Sequence, residues 1–440
     1  MKALRSMTIA SLLALALVAV NARAADEGPK FEFHGFVVGT LYVQDQVFAN
    51  GQGSGLLVSA PAPANHLKRP GVATDKTGMF LGGDARQTRP IFVLTGPKAF
   101  GATPKAWLEF DLFGNPNAGA LGYESANLRL RQAFGELKWG NTTVDVGQHS
   151  AQLILAFIPE TLAHITNPVT FGAGLYGWRT IGVRAMHAIP MEGMKLTLAA
   201  ELSHPHWADA NAAAFPGGTD PGNTPQTISL AWASSMPQIV ARVMADGKSG
   251  NLTWMGWVAG SYESIDLKGF GSTVAPAGVT LQDGSVKKGL ASYAVTAGTQ
   301  LTFMPVTLKA QLSTGRGTAP MAGGMLAFGD INDLGYWAQL GVYATPQISI
   351  WGIYGASTLN KKDLQNWANP AGTVLTEATT GLRQQNAVYG GMLKFADAGY
   401  QFGLEYYANS TDWLLGNIAA PGGTKNTTAS QILLSGGYFF

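Results

Sequence analysis

The 440-residue chain contains no cysteine. That absence excludes disulfide frameworks, thiolate metal sites and cysteine nucleophiles. Charge is scarce as well. Asp, Glu, Lys and Arg make up 13% of the residues, about half the usual share, which argues against a disordered chain. The formal net charge is only +2, so there is no basic field for nucleic acid, and no nucleic-acid partner is expected. Beyond residue 24 no run of 18 apolar residues occurs, so no membrane-spanning helix is expected in the remainder. There is no phosphate-binding loop, dinucleotide fingerprint or calcium loop. Repeats of fixed length are missing too, which excludes propellers and solenoids.

Catalytic patterns are equally absent. "GQGSG" (51–55) has the wrong spacing for a nucleophile elbow. His204 and His206 in "SHPHW" have no third ligand nearby in sequence, so no metal is expected. His149 and Ser150 are adjacent, and on a strand adjacent side chains point to opposite faces rather than forming a nucleophile and its base. No enzymatic activity and no cofactor are expected.

What is present begins with residues 1–24. Lys2 and Arg5 precede the apolar run Ile9 to Val20, and Ala22 and Ala24 supply a small-x-small cleavage pattern. This is the form of a secretory signal peptide, leaving 25–440 as a single mature domain. That domain is a series of segments with period-two alternation. In "KAWLEFDLFG" (105–114), Ala106, Leu108, Phe110 and Leu112 oppose Lys105, Trp107, Glu109 and Asp111. "KLTLAAELS" (195–203), "VTLKAQLSTG" (306–315) and "YQFGLEYYAN" (400–409) repeat the pattern. About sixteen such segments fall near 31–45, 84–96, 104–113, 127–139, 142–150, 178–189, 194–203, 237–246, 251–265, 289–303, 305–317, 334–345, 347–358, 384–396, 398–409 and 429–440. They are long for globular strands and suit a tilted bilayer crossing.

The connections alternate short and long. Gly140–Asn141, 190–193, 246–250 and 397–399 are short, whereas 46–83, 114–126, 151–177, 204–236, 266–288, 318–333, 359–383 and 410–428 are long. Alternation of short turns with long loops and an even strand count is the signature of an outer-membrane barrel. The reading is an all-β, antiparallel up-and-down transmembrane barrel of about 16 strands, with short periplasmic turns and long outer loops. The surrounding partners are then outer-membrane lipid and lipopolysaccharide. "QILLSGGYFF" at the C-terminus puts Ile432, Leu434, Gly436, Tyr438 and Phe440 on the lipid side. Closure requires this last strand to pair with the first.

Charged residues on the other parity mark the lumen. Arg129 and Arg131 oppose Leu128 and Leu130, and charge on a lipid face costs about 2–4 kcal/mol at the midplane. After Arg131 the parity slips, so a bulge is expected there. Arg86 and Arg89 have opposite parity and must be separated by a bulge or strand start, as Pro90 also suggests. Arg184, Glu109 and Asp111 complete the lumen set. The loop 151–177 is apolar and carries Glu160. It makes sense folded inward as the third long loop, narrowing the pore and setting acidic groups against arginines. These eight residues are the candidate pore-constriction set, and the excess of arginine favours anions.

The stretches "GDARQTR" (83–89), "AWLEFDLFG" (106–114), "NLRLRQAFGEL" (127–137) and "VGQ" (146–148) resemble the DcaP-like porin family of Gram-negative outer membranes, in order and spacing. The resemblance is specific over about 80–190. It implies a 16-stranded barrel, usually a homotrimer, that passes small organic anions such as dicarboxylates, with Arg86, Arg89, Arg129 and Arg131 lining the pore. The expected function is passive diffusion of small hydrophilic solutes with a mild preference for carboxylates. A channel for hydrophobic compounds, a barrel enzyme and an adhesive barrel are the alternatives.

Overall fold

Strict alternation leaves each segment with one apolar and one polar face, and the chain satisfies both by curling into a closed wall. The computed structural model describes residues 28–45, 79–114, 126–149, 153–177, 179–204, 236–266, 289–318, 331–368, 383–414 and 426–440. The expected signal peptide, most of the outer loops, Ser150 and His206 lie outside the described residues.

Seventeen strand segments run antiparallel in chain order: β1 (Lys30–Gln44), β2 (Phe80–Asp84), β3 (Arg89–Thr95), β4 (Thr103–Asp111), β5 (Arg129–Trp139), β6 (Thr142–His149), β7 (Thr180–Met191), β8 (Met194–Ser203), β9 (Gln238–Ser249), β10 (Leu252–Asp266), β11 (Gly289–Phe303), β12 (Val306–Arg316), β13 (Asn332–Tyr343), β14 (Ile348–Leu359), β15 (Arg383–Asp397), β16 (Tyr400–Trp413) and β17 (Asn426–Phe439). Both β2 and β3 pair with β1, so together they form one interrupted stave and the barrel has sixteen. The last strand closes on the first, from Phe36↔Phe439 to Gln44↔Gln431. Gly35 and Phe440 exchange backbone hydrogen bonds of 3.0 Å at the seam. With no free edge, every ladder group in the wall finds a partner inside the bilayer.

The outward face carries the apolar parity. Ile432, Leu434, Tyr438 and Phe440 are exposed while the intervening Gln431, Leu433 and Ser435 are buried, as the terminal pattern requires. Inward positions are largely polar, with pairs such as Thr40–Ser435 (2.9 Å) and Thr296–Ser313 (3.0 Å) bonded across neighbouring strands.

Three local details depart from the plain pattern. The stave expected at 84–96 breaks between Asp84 and Arg89, and the four intervening residues form a turn. This is how Arg86 and Arg89, of opposite parity, both reach the inside. The short connection expected at 246–250 is tighter than that. β9 pairs through to Ser249, and a two-residue turn at Gly250–Asn251 uses the left-handed conformation of Gly250 (φ 58°), which a tight hairpin demands. Within the long connection 359–383 lies a short helix, α1 (Lys361–Ala368), which the alternation gave no cause to expect. Asn360 caps it by accepting from the Asp363 amide at 3.1 Å.

Candidate functional site: an arginine group facing an inward loop

Residues 153–177, the described part of the third long connection, fold into the barrel, as their apolar composition foretold. Leu153, Ile154, Leu162, Val169, Leu175 and Tyr176 are buried there. The loop's apolar side chains rest on inward residues of the far wall: Trp257 and Val240 near its start, Trp337, Ile353, Val388 and Leu433 along its course.

A segment in the lumen must also satisfy its backbone, and the wall supplies the partners. Fully buried Glu405 of β16 accepts the Leu162 and Ala163 amides (2.8 and 2.7 Å), the Thr161 hydroxyl (2.6 Å) and the Tyr407 hydroxyl (2.7 Å). The Gln339 side chain both accepts from the Glu160 amide and donates to its carbonyl (2.7 and 2.8 Å). Gln87, presented by the break between β2 and β3, donates to the Ala163 carbonyl (2.6 Å) and accepts from the Thr166 amide (3.1 Å). Arg242 donates to the Leu153 and Leu155 carbonyls (3.4 and 3.2 Å). Such a network makes the loop a fixed part of the lumen.

Opposite one stretch of this loop stands the arginine group. Register explains its placement. β4 and β5 pair in step up to Glu109↔Gln132 and resume at Phe110↔Leu130, leaving Arg131 as the extra residue of a bulge. The bulge is the one the parity slip called for. It keeps Arg129, Arg131, Gln132, Phe134 and Glu136 all on the inside. Arg131 donates to Glu109 and to Asp111, each at 2.8 Å. Arg129 forks onto Asp111 (2.9 and 2.6 Å), and Gln132 bonds to Glu109. Arg89 lies 3.3 Å from Glu109 and donates to Thr166 of the loop at 3.3 Å. Arg86 forks onto Asp84 (2.9 and 2.8 Å) and covers the Phe113 ring at 4.4 Å, with Arg129 over the same ring at 5.2 Å.

Sequence reasoning missed Arg179, which sits where the loop returns to β7. Burial first, then the neighbouring Arg129 and Arg131, pull its guanidinium down to about 9. It marks a place crowded with positive charge. The expected segment 178–189 contained it at the parity opposite to Arg184, which would have turned it outward; in the structure β7 begins only at Thr180, so Arg179 ends the loop and lines the cavity with Arg89 and Arg131.

The remaining candidates sit elsewhere. Arg184 bonds to Glu201 at 3.0 Å, and Glu201 also accepts the Leu153 amide (3.1 Å), so this pair holds the root of the loop. Glu160 is gripped by Lys394 (2.7 Å) and Lys309 (3.4 Å). Although burial would raise its pKa, the two ammonium groups hold it below the usual carboxylate range. The arrangement therefore differs from arginines confronting acidic loop groups across the lumen. Glu109 and Asp111 stand among the arginines, because adjacent strands place them side by side, and Glu160 has its own cations.

Between the arginines and the loop lies a cavity of about 270 Å³, bounded by Arg89, Arg131 and Arg179 on one side. Four arginines (Arg89, Arg129, Arg131 and Arg179) within electrostatic reach of one another share two carboxylates, Glu109 and Asp111. This is a net positive station beside an open space. Among the described residues no group of three or more His, Asp or Glu is placed to hold a metal ion.

No protein-family profile matches the chain, and no curated protein is significantly similar to it in sequence. Solved structures are similar in fold. The outer membrane channel DcaP of Acinetobacter baumannii superposes with a TM-score of 0.61 over 95% of this chain and 99% of its own, at 16% identity. An anion-selective porin from Comamonas acidovorans gives 0.52 over 94% and 100%, at 12% identity. At such identities the likeness is one of fold. The resemblance to DcaP-like porins seen in four short stretches thus extends to the architecture of the whole barrel.

Proposed function

We propose that this protein is an outer-membrane porin that passes small hydrophilic solutes by diffusion and prefers small organic anions, carboxylates above all. The observation that carries the reading is the net positive arginine group held beside a loop pinned inside the barrel. A fixed positive station in a narrowed, low-dielectric passage raises the local concentration of anions and lowers that of cations. Carboxylates suit it in particular, since guanidinium groups present paired donors that match the two carboxylate oxygens. Arg89, Arg131 and Arg179 do the contacting. Arg129, Glu109 and Asp111 hold them in position, Arg86 braces Phe113, and Arg184 with Glu160 anchors the loop. The outer membrane is the setting and a homotrimer the assembly, reached after export by removal of residues 1–24.

Swelling of liposomes containing the purified protein tests this reading. Isosmotic arabinose enters, and so does potassium lactate with valinomycin present to carry the counter-ion, lactate faster than its size alone allows. Absence of swelling with either solute contradicts a porin, and entry of arabinose with exclusion of lactate contradicts the anion preference.

A further inference from the structure

The cavity beside the arginines has two unlike walls. Facing Arg89, Arg131 and Arg179 are Leu155, Phe157, Ile158, Ile165 and Phe171 of the inward loop. Four of these pack their backs on the buried cluster of Trp337, Ile353 and Val388 while keeping part of their surface open: Leu155, Phe157, Ile158 and Phe171. Among the described residues no Asp or Glu lines this cavity. A filter for strongly hydrated anions gains nothing from an apolar wall, because a small anion stripped of water on that side loses hydration without replacement. Along the same strands, two residues from Glu109 and Gln132 toward the short turns, the apolar character continues. Trp107 stacks on Phe134 with centroids 6.2 Å apart, and Phe134 meets the His149 ring at 4.9 Å.

Resting on the anion reading above, we propose that the preferred solutes are monocarboxylates with an apolar body, such as aryl or cycloalkyl carboxylates, rather than hydroxylated acids or compact dicarboxylates. The carboxylate engages the arginine wall and the ring lies against the loop. This follows the usual division of labour in a binding site, where a few polar groups orient the ligand and apolar surface holds it. A second carboxylate on a short chain would be pressed toward the apolar wall, where charge is unfavourable.

The test is reversal potentials of the full-length protein in planar bilayers under bi-ionic conditions, with sodium chloride on one side and sodium benzoate, sodium gluconate or disodium succinate on the other. Benzoate should be more permeant than gluconate by roughly three- to tenfold, the scale of one or two partly shielded methylene groups, and more permeant than succinate. Ile158→Ser and Ile165→Ser should each lower the benzoate-to-gluconate ratio about two- to threefold. Succinate or gluconate equal to or above benzoate overturns the inference. So does a ratio that neither variant changes, which would be sieving by size. If a sodium chloride gradient across the same bilayers still shows chloride preferred over sodium, the anion reading survives and only this inference falls. A channel that prefers sodium to chloride overturns both.

Discussion

Glu405→Ala should loosen the constriction without opening the barrel wall. Its carboxylate accepts four donors, two of them backbone amides of the loop and one the hydroxyl of Thr161. All are buried with it. Three of those donors belong to the loop, so a net contribution of about 1 kcal/mol per bond gives a loss of roughly 3 kcal/mol in the docking of residues 161–163. That is about two orders of magnitude in the population of locally undocked loop. The loop keeps its anchors at Gln339, Gln87 and Arg242, so it should lift transiently rather than leave. Single-channel recordings should show brief excursions to higher conductance that are rare in the parent. The β15–β16–β17 ladder does not involve this side chain, so resistance of the folded barrel to heating in detergent should change little. Glu405→Gln, which keeps one acceptor oxygen, should fall between. If Glu405→Ala has the conductance and noise of the parent, the loop is not held by this carboxylate and the account of a pinned constriction is wrong.

Three further outcomes are expected. Arg129→Ala together with Arg131→Ala reduces the group from four arginines and two acids to two of each, so the reversal potential in a KCl gradient should move toward zero; an unchanged potential would remove these residues from the selective path. His164 is pulled from 6.5 to about 3 by complete burial, so between those values the undocked loop takes up a proton that the docked loop excludes; docking then weakens as pH falls, by up to about 1.4 kcal/mol per unit. Glu160, held low by its lysines after opposing burial, loses its ion pairs on further acidification in the same direction. Channel noise should therefore rise on acidification from neutral pH, His164→Asn should flatten the upper part of that rise, and noise independent of pH would contradict the assignment. Gly174 has φ +105°, and a Cβ there would collide with the Tyr336 carbonyl oxygen, so Gly174→Ala should displace the loop and raise mean conductance; a variant with parental conductance would contradict the close fit.

Much of this was legible from the sequence because a barrel wall is written in parity. Ile432 to Phe440 declared their outward face, Glu109 and Asp111 their inward one, and the slip after Arg131 its bulge. The opposite parity of Arg86 and Arg89 announced the break in their stave. Parity runs out where the chain leaves the ladder. It placed Glu160 in an inward loop but not which cations would meet it, because Lys309 and Lys394 come from strands far along the chain. It assigned Arg184 to the lumen without showing that Glu201 and the loop root would claim it. It left Arg179 in the expected strand 178–189 at the outward parity and was silent on Glu405 as the loop's latch, since both depend on where a long connection comes to rest. The Asn360 cap of α1 was readable by a different rule, that of helix starts, with Asp363 three residues on.

The central claim is that the fixed charge in the passage is positive. The most direct measurement is the zero-current potential of the unmodified protein in a planar bilayer separating two concentrations of KCl at neutral pH. The account predicts a potential of the sign set by chloride, the more permeant ion. A potential of the sign set by potassium would leave the barrel standing and show that the arginine group, with Glu109 and Asp111 among it, does not govern what passes.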